Sequence, residues 1–309
     1  MKVIFMGTPS FAAPILRAIY ESPHDVIGVV TQPDRGQGRG RKPGMSPVKE
    51  LAMELRLPVL QPETMRDGDF IGEVNRMSPD LVVVAAYGRM LTREILDIPP
   101  VGCINVHASL LPRYRGAAPI QWAIVNGEEK TGVTIIKMDE GMDTGDILLT
   151  QEVKIRDDDT AQSLHETLCR VGAKLAIEAI DQLEKGTIRP VPQDHNKATY
   201  APPLKKEDGL IDWKHGARDI FNRIRGFNPW PGAFTFLKGG QLKIYHGEIV
   251  DEEVREAPGT VIQSGSDGVT VATGSGALRL KEIQLEGRRK MSIREFLIGN
   301  EIPPGTHLG

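Results

Sequence analysis

The sequence is short of the features that mark secreted, metal-binding and membrane-spanning proteins. Its 309 residues include two cysteines, Cys103 and Cys169, too few for a disulfide framework and without the spacing of a zinc site. The apolar run near Met1 is too brief for a signal peptide or a membrane span. The seven histidines are scattered, and none forms an H-x-x-x-H or H-E-x-x-H pair. We therefore expect a protein of the reducing cytoplasm that uses no metal and no membrane.

The chain also lacks a large excess of charge of either sign. It has 38 basic and 41 acidic residues, a net charge of −3. This balance does not require a nucleic-acid partner, so such a partner has to be argued from a local patch. The length is sufficient for two domains, each with its own core.

The pattern of apolar runs predicts an α/β protein with two domains. Over residues 1–188, short apolar runs such as "KVIFMG", "DVIGVVTQ" and "DLVVVAAYG" alternate with helical segments, the clearest of which is Ala161–Glu184. This alternation predicts a Rossmann-like, mostly parallel sheet with helices on both faces. Residues 189–208 are rich in Pro, Lys and Asp and are typical of an interdomain linker. Residues 209–309 hold short β-like runs between glycines, which predict a small OB-like β-barrel domain.

The segment "INVHASLLPRYRG" sets Asn105 and His107 one residue apart in a predicted strand. Alternation along a strand places both polar side chains on the same face. Two satisfied polar groups at a strand end would explain the pair. A binding site would also explain it, because ligands of parallel sheets bind at the carboxyl ends of strands.

The segment "MDEGMDTGDIL" contains four acids among glycines. A solvated acidic turn explains Asp139 and Glu140, and it is one interpretation of Asp143. The other is that Asp143, between glycines, closely approaches a histidine and sets its tautomer or charge. A serine nucleophile is not indicated, since there is no G-x-S-x-G motif.

The segment "RGQGRGRKPGMSPVK" is a basic loop without any acid. A solvated surface loop and a phosphate-binding or nucleic-acid-binding loop are both consistent with its charge. Its length exceeds that of most strand–helix connections. Five basic residues carry the charge, namely Arg35, Arg39, Arg41, Lys42 and Lys49.

The opening segment "MGTPSF" is a strand–glycine–helix turn, a geometry that can hold an anion. It lacks the G-x-G-x-x-G fingerprint of a dinucleotide site. A structural turn, or the edge of another ligand site, is favoured.

Together these segments resemble the methionyl-tRNA formyltransferase family across the whole chain. The resemblance rests on "MKVIFMGTPSFAAPIL", "TQPDRGQGRGRKP", "AAYGRML", "INVHASLLPRYRGAAPIQWAI", "TGVTIIKMDEGMDTGDIL" and "GFNPWPGAF". It implies a formyltransferase fold over 1–188 and an OB-like, tRNA-binding domain over 209–309. It also implies transfer of a formyl group from 10-formyltetrahydrofolate to the amino group of methionine on initiator methionyl-tRNA, for translation initiation.

The resemblance assigns three groups of residues. The family's catalytic Asn, His and Asp fall on Asn105, His107 and Asp143. The implied folate-binding residues are Ser109, Leu110, Leu111, Pro112, Tyr87, Arg89 and Met90. The implied tRNA-binding loop holds Arg35, Arg39, Arg41, Lys42 and Lys49. No metal is implied, and the absence of coiled-coil heptads leads us to expect a monomer.

The predicted mechanism requires no nucleophile from the protein, because the substrate amine attacks the formyl carbon itself. Asn105 and His107 would donate to the developing oxyanion, and Asp143 would orient His107. Three alternatives stay open: a folate-dependent formyltransferase acting on a small amine, a nucleic-acid-binding protein on a degenerate catalytic fold, and a dinucleotide-dependent oxidoreductase.

Overall fold

The apolar runs of the first part of the chain form the centre of a seven-stranded sheet. A computed structural model describes residues 1–36 and 43–309, with the backbone alone at 35, 36 and 43. The strands in this part of the chain are β1 (Lys2–Gly7), β2 (Asp25–Val30), β3 (Arg35–Gly36), β4 (Pro43–Gly44), β5 (Val59–Leu60), β6 (Leu81–Ala85), β7 (Gly102–His107), β8 (Arg115–Gly116), β9 (Lys130–Lys137), β10 (Ile147–Lys154) and β11 (Tyr200–Ala201). The order in the main sheet is β10-β9-β7-β6-β1-β2-β5.

Parallel pairing dominates this sheet, as predicted. β1 pairs in parallel with β2 and β6, β2 with β5, and β6 with β7, whereas β9 and β10 run antiparallel at one edge. All of β6 is buried, and so is β1 after its first residue. Strands covered on both faces are expected to be continuously apolar rather than alternating, which is the pattern of both runs.

Helices flank this sheet, and local sequence signals explain where several of them begin. Ser46 accepts a hydrogen bond from the Lys49 N–H and is followed by Pro47, so α2 has both a side-chain cap and a favourable first residue. Asp67 caps α3 in the same way. The helices of the chain are α1 (Ala12–Tyr20), α2 (Pro47–Glu54), α3 (Gly68–Met77), α4 (Arg93–Leu96), α5 (Pro119–Val125), α6 (Ala161–Glu184), α7 (Ala217–Gly226) and α8 (Ile293–Gly299).

Most predicted elements are present, and the differences are short elements. The helix predicted over Ala161–Glu184 is confirmed at both ends. The apolar segment "LPVLQP" would suit a longer strand but forms only the two residues of β5, and α4, β8 and α8 carry no clear periodicity in the sequence. Elements of two to seven residues contain too few residues for a hydrophobic period to show.

The glycine-rich C-terminal part, predicted to be a small OB-like β-barrel domain, forms a six-stranded antiparallel sheet. Its strands are β12 (Ala233–Leu237), β13 (Gly240–Val250), β14 (Val261–Gly265), β15 (Gly268–Ala272), β16 (Ala277–Leu285) and β17 (Met291–Ser292), in the order β12-β13-β16-β15-β14 with β17 beside β16. The C-terminal residues link the two outer strands: Val261 N–H donates to Thr306 and Gly309 N–H to Phe236. This gives the sheet a barrel-like closure around a core that includes Trp213, Leu242 and Phe296.

The chain divides into two compact units. One comprises residues 1–119, 130–154 and 165–202, and the other comprises 120–129, 155–164 and 203–309. The predicted boundaries at 188 and 208 stay a prediction. Within the described ranges, α6 included, we find no helix with the length and apolar character needed to cross a membrane.

Candidate active site

Asp143 is the point at which the predicted catalytic residues meet. Its carboxylate accepts hydrogen bonds from the Asn105 side-chain amide (Nδ2–Oδ1, 3.2 Å) and from the Gly116 backbone N–H (N–Oδ2, 2.8 Å). Oδ2 also lies 3.6 Å from His107 Nδ1. Asn105 and His107 belong to β7, whereas Asp143 lies in the connection between β9 and β10. The fold therefore brings Asp143 into contact with Asn105, which is 38 positions away in the sequence.

The tautomer of His107 follows from its second contact. His107 Nε2 lies 2.9 Å from the carbonyl oxygen of Tyr114, which can only accept, so Nε2 carries a hydrogen. Nδ1 is consequently the nitrogen that faces Asp143 and can gain or lose a proton. The side chain is 7% exposed, and Tyr114 itself has a positive φ of 60°. His107 is thus held in one orientation by a backbone carbonyl, with Nδ1 towards the carboxylate.

Asp143 adopts a backbone conformation that needs support. Its φ is +53°, in the left-handed region where aspartate is better tolerated than most residues. Such a conformation costs about 1–3 kcal/mol and persists where the surroundings hold it. Gln193 supplies that support: its side-chain amide donates to the carbonyl oxygens of Asp143 (2.8 Å) and Gly145 (2.7 Å).

Sequence reasoning missed Gln193 and the arginine that holds it. The Gln193 Oε1 atom accepts from Arg115 Nη2 (2.7 Å) and Nε (3.3 Å), and both side chains are buried. The neighbouring backbone is also tied to this unit, because β11 pairs in parallel with β8. The signal in the sequence was a neutral polar residue within a segment of linker-like composition, which does not indicate burial.

The turn around Asp143 depends on two residues of its own. Asp139 accepts from the Gly141 N–H (3.0 Å) and the Thr144 hydroxyl (2.6 Å), so the acid expected to be only solvated also organises the turn. A Cβ on Gly145 would collide with the carbonyl oxygen of Lys137. The glycine is required by the close approach of two backbone segments.

The segment predicted to contact folate follows β7 directly and is fixed by Thr134. The Thr134 hydroxyl donates to the Ser109 carbonyl (2.7 Å), and the Leu111 N–H donates to the Thr134 hydroxyl (3.1 Å). The Ser109 hydroxyl donates to the Arg113 carbonyl (2.7 Å). Of the four predicted residues, Ser109 and Leu111 are buried and Leu110 and Pro112 are partly exposed.

A cleft lies beside the other predicted folate residues. It has a volume of about 850 Å³, and Arg89 and Met90 contribute to its lining. The Arg89 guanidinium donates to the carbonyls of Pro62 (3.0 Å) and Glu63 (2.6 Å), which fixes one wall, whereas Met90 is exposed. The lining combines both charges with apolar side chains and includes Glu63, Arg66, Arg89, Met90, Leu91 and Glu140.

Tyr87 is placed differently from Arg89 and Met90. Its side chain is 1% exposed and packs in the core with Val84 and Leu91, and its buried hydroxyl has no hydrogen-bond partner among the described residues. Burial raises the pKa of Tyr87 to about 12. Its carbonyl accepts from Thr8 and Gln32, so this residue joins the β6 end to the turn after β1.

Most of the predicted tRNA-binding loop lies outside the part of the chain that the structure describes. This applies to Arg39, Arg41 and Lys42 and to the side chain of Arg35. Lys49 is described, and its Nζ lies 2.5 Å from Asp34 Oδ2. The hydrogen bond from Lys49 lowers the pKa of Asp34. The charge of Lys49 is therefore shared with an acid that immediately precedes the loop.

The expectation that the protein uses no metal stays a prediction. Among the residues that the structure describes, His24, Asp181 and Glu184 are close enough to one another to share an ion. His24 Nε2 is already 3.1 Å from Asp181 Oδ1. Asn105, His107 and Asp143 do not belong to this group.

Comparison with known protein families accounts for both parts of the chain. Residues 1–180 match the model of the formyl transferase family, and residues 203–301 match that of the formyl transferase C-terminal domain. Among solved structures, an N-formyltransferase from Helicobacter canadensis, in complex with folinic acid and dTDP-3-aminofucose, is 20% identical with a TM-score of 0.69, covering 94% of this chain and 100% of that one. At this identity the likeness shows the fold.

A second solved structure shares the fold within a longer protein. HypX from Aquifex aeolicus is 18% identical with a TM-score of 0.66; the match covers 96% of this chain but 48% of that one, so the chain spans about half its length.

A curated relative matches over the full length of both chains. A methionyl-tRNA formyltransferase from Caldanaerobacter subterraneus subsp. tengcongensis is 52% identical over 309 residues, covering 100% of each chain. A second one, from Geobacter metallireducens, is 50% identical over 100% of this chain and 99% of its own. Identity at this level, sustained through both domains, shows that the chain belongs to the methionyl-tRNA formyltransferase family.

Proposed function

We propose that this protein transfers a formyl group from 10-formyltetrahydrofolate to the amino group of methionine on initiator methionyl-tRNA. One observation carries the proposal: Asn105, His107 and Asp143 converge at the end of β7 in a chain whose full-length relatives bear the name methionyl-tRNA formyltransferase. We further propose that it acts as a cytoplasmic monomer without a metal. Residues 1–188 would carry the chemistry, 189–208 would connect the domains, and 209–309 would help to hold the tRNA.

Asn105 is suited to stabilise the carbonyl oxygen that gains charge during acyl transfer. Its amide has two hydrogens, and one is used on Asp143 Oδ1 at 3.2 Å. The second has no hydrogen-bond partner among the described residues and can donate to a substrate oxygen. Because Asp143 fixes the amide plane in advance, this donor needs no reorganisation when charge develops, which is the condition under which such a hydrogen bond accelerates a reaction most.

His107 and Asp143 together can manage the proton that the attacking amine must lose. Since Nε2 is committed to the Tyr114 carbonyl, Nδ1 is the atom that exchanges a proton with the substrate, and Asp143 Oδ2 is 3.6 Å away to stabilise the charged ring. When protonated, Nδ1 would also be the second donor to the substrate oxygen, and its proton would pass to the folate nitrogen as the bond between that nitrogen and the formyl carbon breaks, which releases tetrahydrofolate. The amine is itself the nucleophile, so the chain needs no reactive serine or cysteine.

The formyl donor supplies the one-carbon group, and the cleft lined by Arg89 and Met90 provides space for it. A volume of about 850 Å³ falls within the usual range for small-molecule sites. Its walls offer guanidinium groups for carboxylates and apolar side chains for a ring. We assign donor binding to Arg89 and Met90 in this cleft and to the segment Ser109, Leu110, Leu111 and Pro112. Tyr87, buried in the core, would support the strand end from which Arg89 and Met90 project.

The direct test is transfer of labelled formyl from 10-formyltetrahydrofolate to methionine-charged initiator tRNA. Methionine-charged elongator tRNA and free methionine serve as controls. We expect preferential labelling of the initiator. A different result is that no tRNA is labelled but the donor is consumed in the presence of a small amine such as an amino sugar nucleotide. That result would show that the substrate is a small amine and not a tRNA, and the proposed formyl-transfer chemistry would still hold.

A further inference from the structure

Gln193 occupies a position from which it controls the placement of Asp143 without reaching the reacting atoms. Its amide nitrogen donates one hydrogen to the Asp143 carbonyl (2.8 Å) and the other to the Gly145 carbonyl (2.7 Å). Its oxygen accepts two hydrogen bonds from Arg115. Both donors and both acceptor sites of the side chain are therefore used. The orientation of the amide is determined, because the two carbonyls can only accept and the guanidinium can only donate.

Arg115 is a charged residue that the fold has buried to serve this contact. It is 2% exposed, and its described partners are neutral: Gln193 Oε1 and His195 Nδ1, the latter 3.1 Å from Nη2. No carboxylate of the described residues forms an ion pair with it. Burying a guanidinium without a counter-ion is costly. Because this buried charge holds Gln193 in place, the cost indicates that the position of Gln193 is important for the protein.

The backbone and the side chain of Asp143 are held from separate directions. Asn105 and Gly116 hold the carboxylate, whereas Gln193 holds the carbonyl of the same residue at a φ of +53°. Without Gln193, the carbonyls of Asp143 and Gly145 lose their side-chain donor, and the backbone can relax out of the left-handed region. The carboxylate would then shift relative to His107 Nδ1.

We infer that Gln193, braced by Arg115, is a positioning residue for formyl transfer, acting through the backbone of Asp143. The inference rests on the proposed function for its kinetic consequence. It assigns a role in catalysis to a segment whose composition is that of a linker.

Two variants of Gln193 test this inference in the full-length protein. Gln193→Leu removes all the hydrogen bonds, and Gln193→Glu keeps the shape and the contact with Arg115 but cannot donate to the two carbonyls. A displacement of about 1 Å can reduce turnover about 100-fold, so we expect kcat to fall by roughly 10- to 100-fold in both variants with little change in the KM for the formyl donor. Gln182→Leu, at a glutamine that bonds within α6, should leave kcat unchanged.

A second readout is independent of the substrate. The Gly116 N–H donates to Asp143 Oδ2, so its NMR resonance and its hydrogen-exchange rate report whether the carboxylate is in place. We expect the resonance to shift and exchange to accelerate in both Gln193 variants, and not in Gln182→Leu. An unchanged Gly116 signal in a folded variant would overturn the inference, as would an unchanged kcat in an active enzyme. If the wild type formylates no substrate, the proposed function fails, and the Gly116 signal still decides the positioning role. If Gln193→Leu does not fold, Gln193→Glu decides both readouts.

Discussion

The carboxylate of Asp143 has contacts with a side-chain amide, a backbone N–H and an imidazole, and each contact limits what its neighbours can do. Asn105 uses one amide hydrogen on it and keeps one, and His107 presents Nδ1 because Nε2 is bonded to Tyr114. Asn105 and His107 are therefore not interchangeable. Asn105 is arranged to donate to the substrate, whereas His107 is arranged to exchange a proton next to a negative charge.

Replacing His107 with alanine should separate chemistry from binding. We expect turnover in the formyl-transfer assay to fall by about 100- to 1000-fold, the usual effect of losing one group that stabilises an acyl-transfer transition state. Affinity for the formyl donor and for tRNA, measured by equilibrium binding, should be largely retained. The exposed His246 provides a matched control, and His246→Ala should be fully active. Near-normal turnover in His107→Ala would rule out the role assigned to this residue.

Among the elements, the connection between β9 and β10 differs most from its appearance in the sequence. Its acids and glycines resemble a solvated turn, yet Asp139 braces it internally and Gly145 allows two backbone segments to meet. Gln193, from another segment of the chain, donates hydrogen bonds to the carbonyl oxygens of Asp143 and Gly145 in this connection. The connection is thus a rigid support for Asp143. A substitution that destabilises this connection should therefore also lower the formyl-transfer activity of the protein.

Substituting Gly145 with alanine tests this rigidity. The added Cβ cannot fit against the Lys137 carbonyl, so we expect a loss of about 1–3 kcal/mol in the free energy of unfolding, as for other overpacked sites. Turnover should fall with it. Gly72→Ala is the control, because α3 offers open space at that position and the substitution should stabilise the protein by roughly 0.5–1 kcal/mol. Both values come from denaturant unfolding. Unaltered stability and turnover in Gly145→Ala would contradict a rigid support.

For the molecule as a whole, charge is distributed unevenly despite a net charge of −3. The segment 35–49 concentrates five basic residues without an acid, and the acid just before it, Asp34, is bonded to Lys49. If the substrate is a tRNA, the other cations of this segment should contribute to its capture rather than to the chemistry.

Neutralising Arg41 and Lys42 together should weaken tRNA use selectively. We expect a higher KM for methionyl-tRNA. We also expect binding to depend less on salt: the slope of log K against log salt concentration should become less steep by about 0.7–0.9 for each phosphate that the protein no longer neutralises. Donor binding should be unchanged. Neutralising the exposed pair Lys185 and Arg189 is the control. tRNA kinetics that stay the same at several salt concentrations would show that this loop does not bind the tRNA.

The sequence by itself determined the α/β class, the long helix over Ala161–Glu184, the short strands of the C-terminal domain and the placing of Asn105 and His107 on one face of a strand. These depend on period, local capping and turn residues, which are properties of neighbours in the chain.

Only the tertiary structure decided which distant groups meet. Asp143 approaches His107, and His107 Nε2 is bonded to the Tyr114 carbonyl. Tyr87 is buried in the core. Gln193, which supports Asp143, is itself held by Arg115, a residue 78 positions away in the sequence. Such contacts leave no period in the sequence, because a buried glutamine and an exposed one are the same letter. What distinguishes them is the set of donors and acceptors that the folded chain places around each.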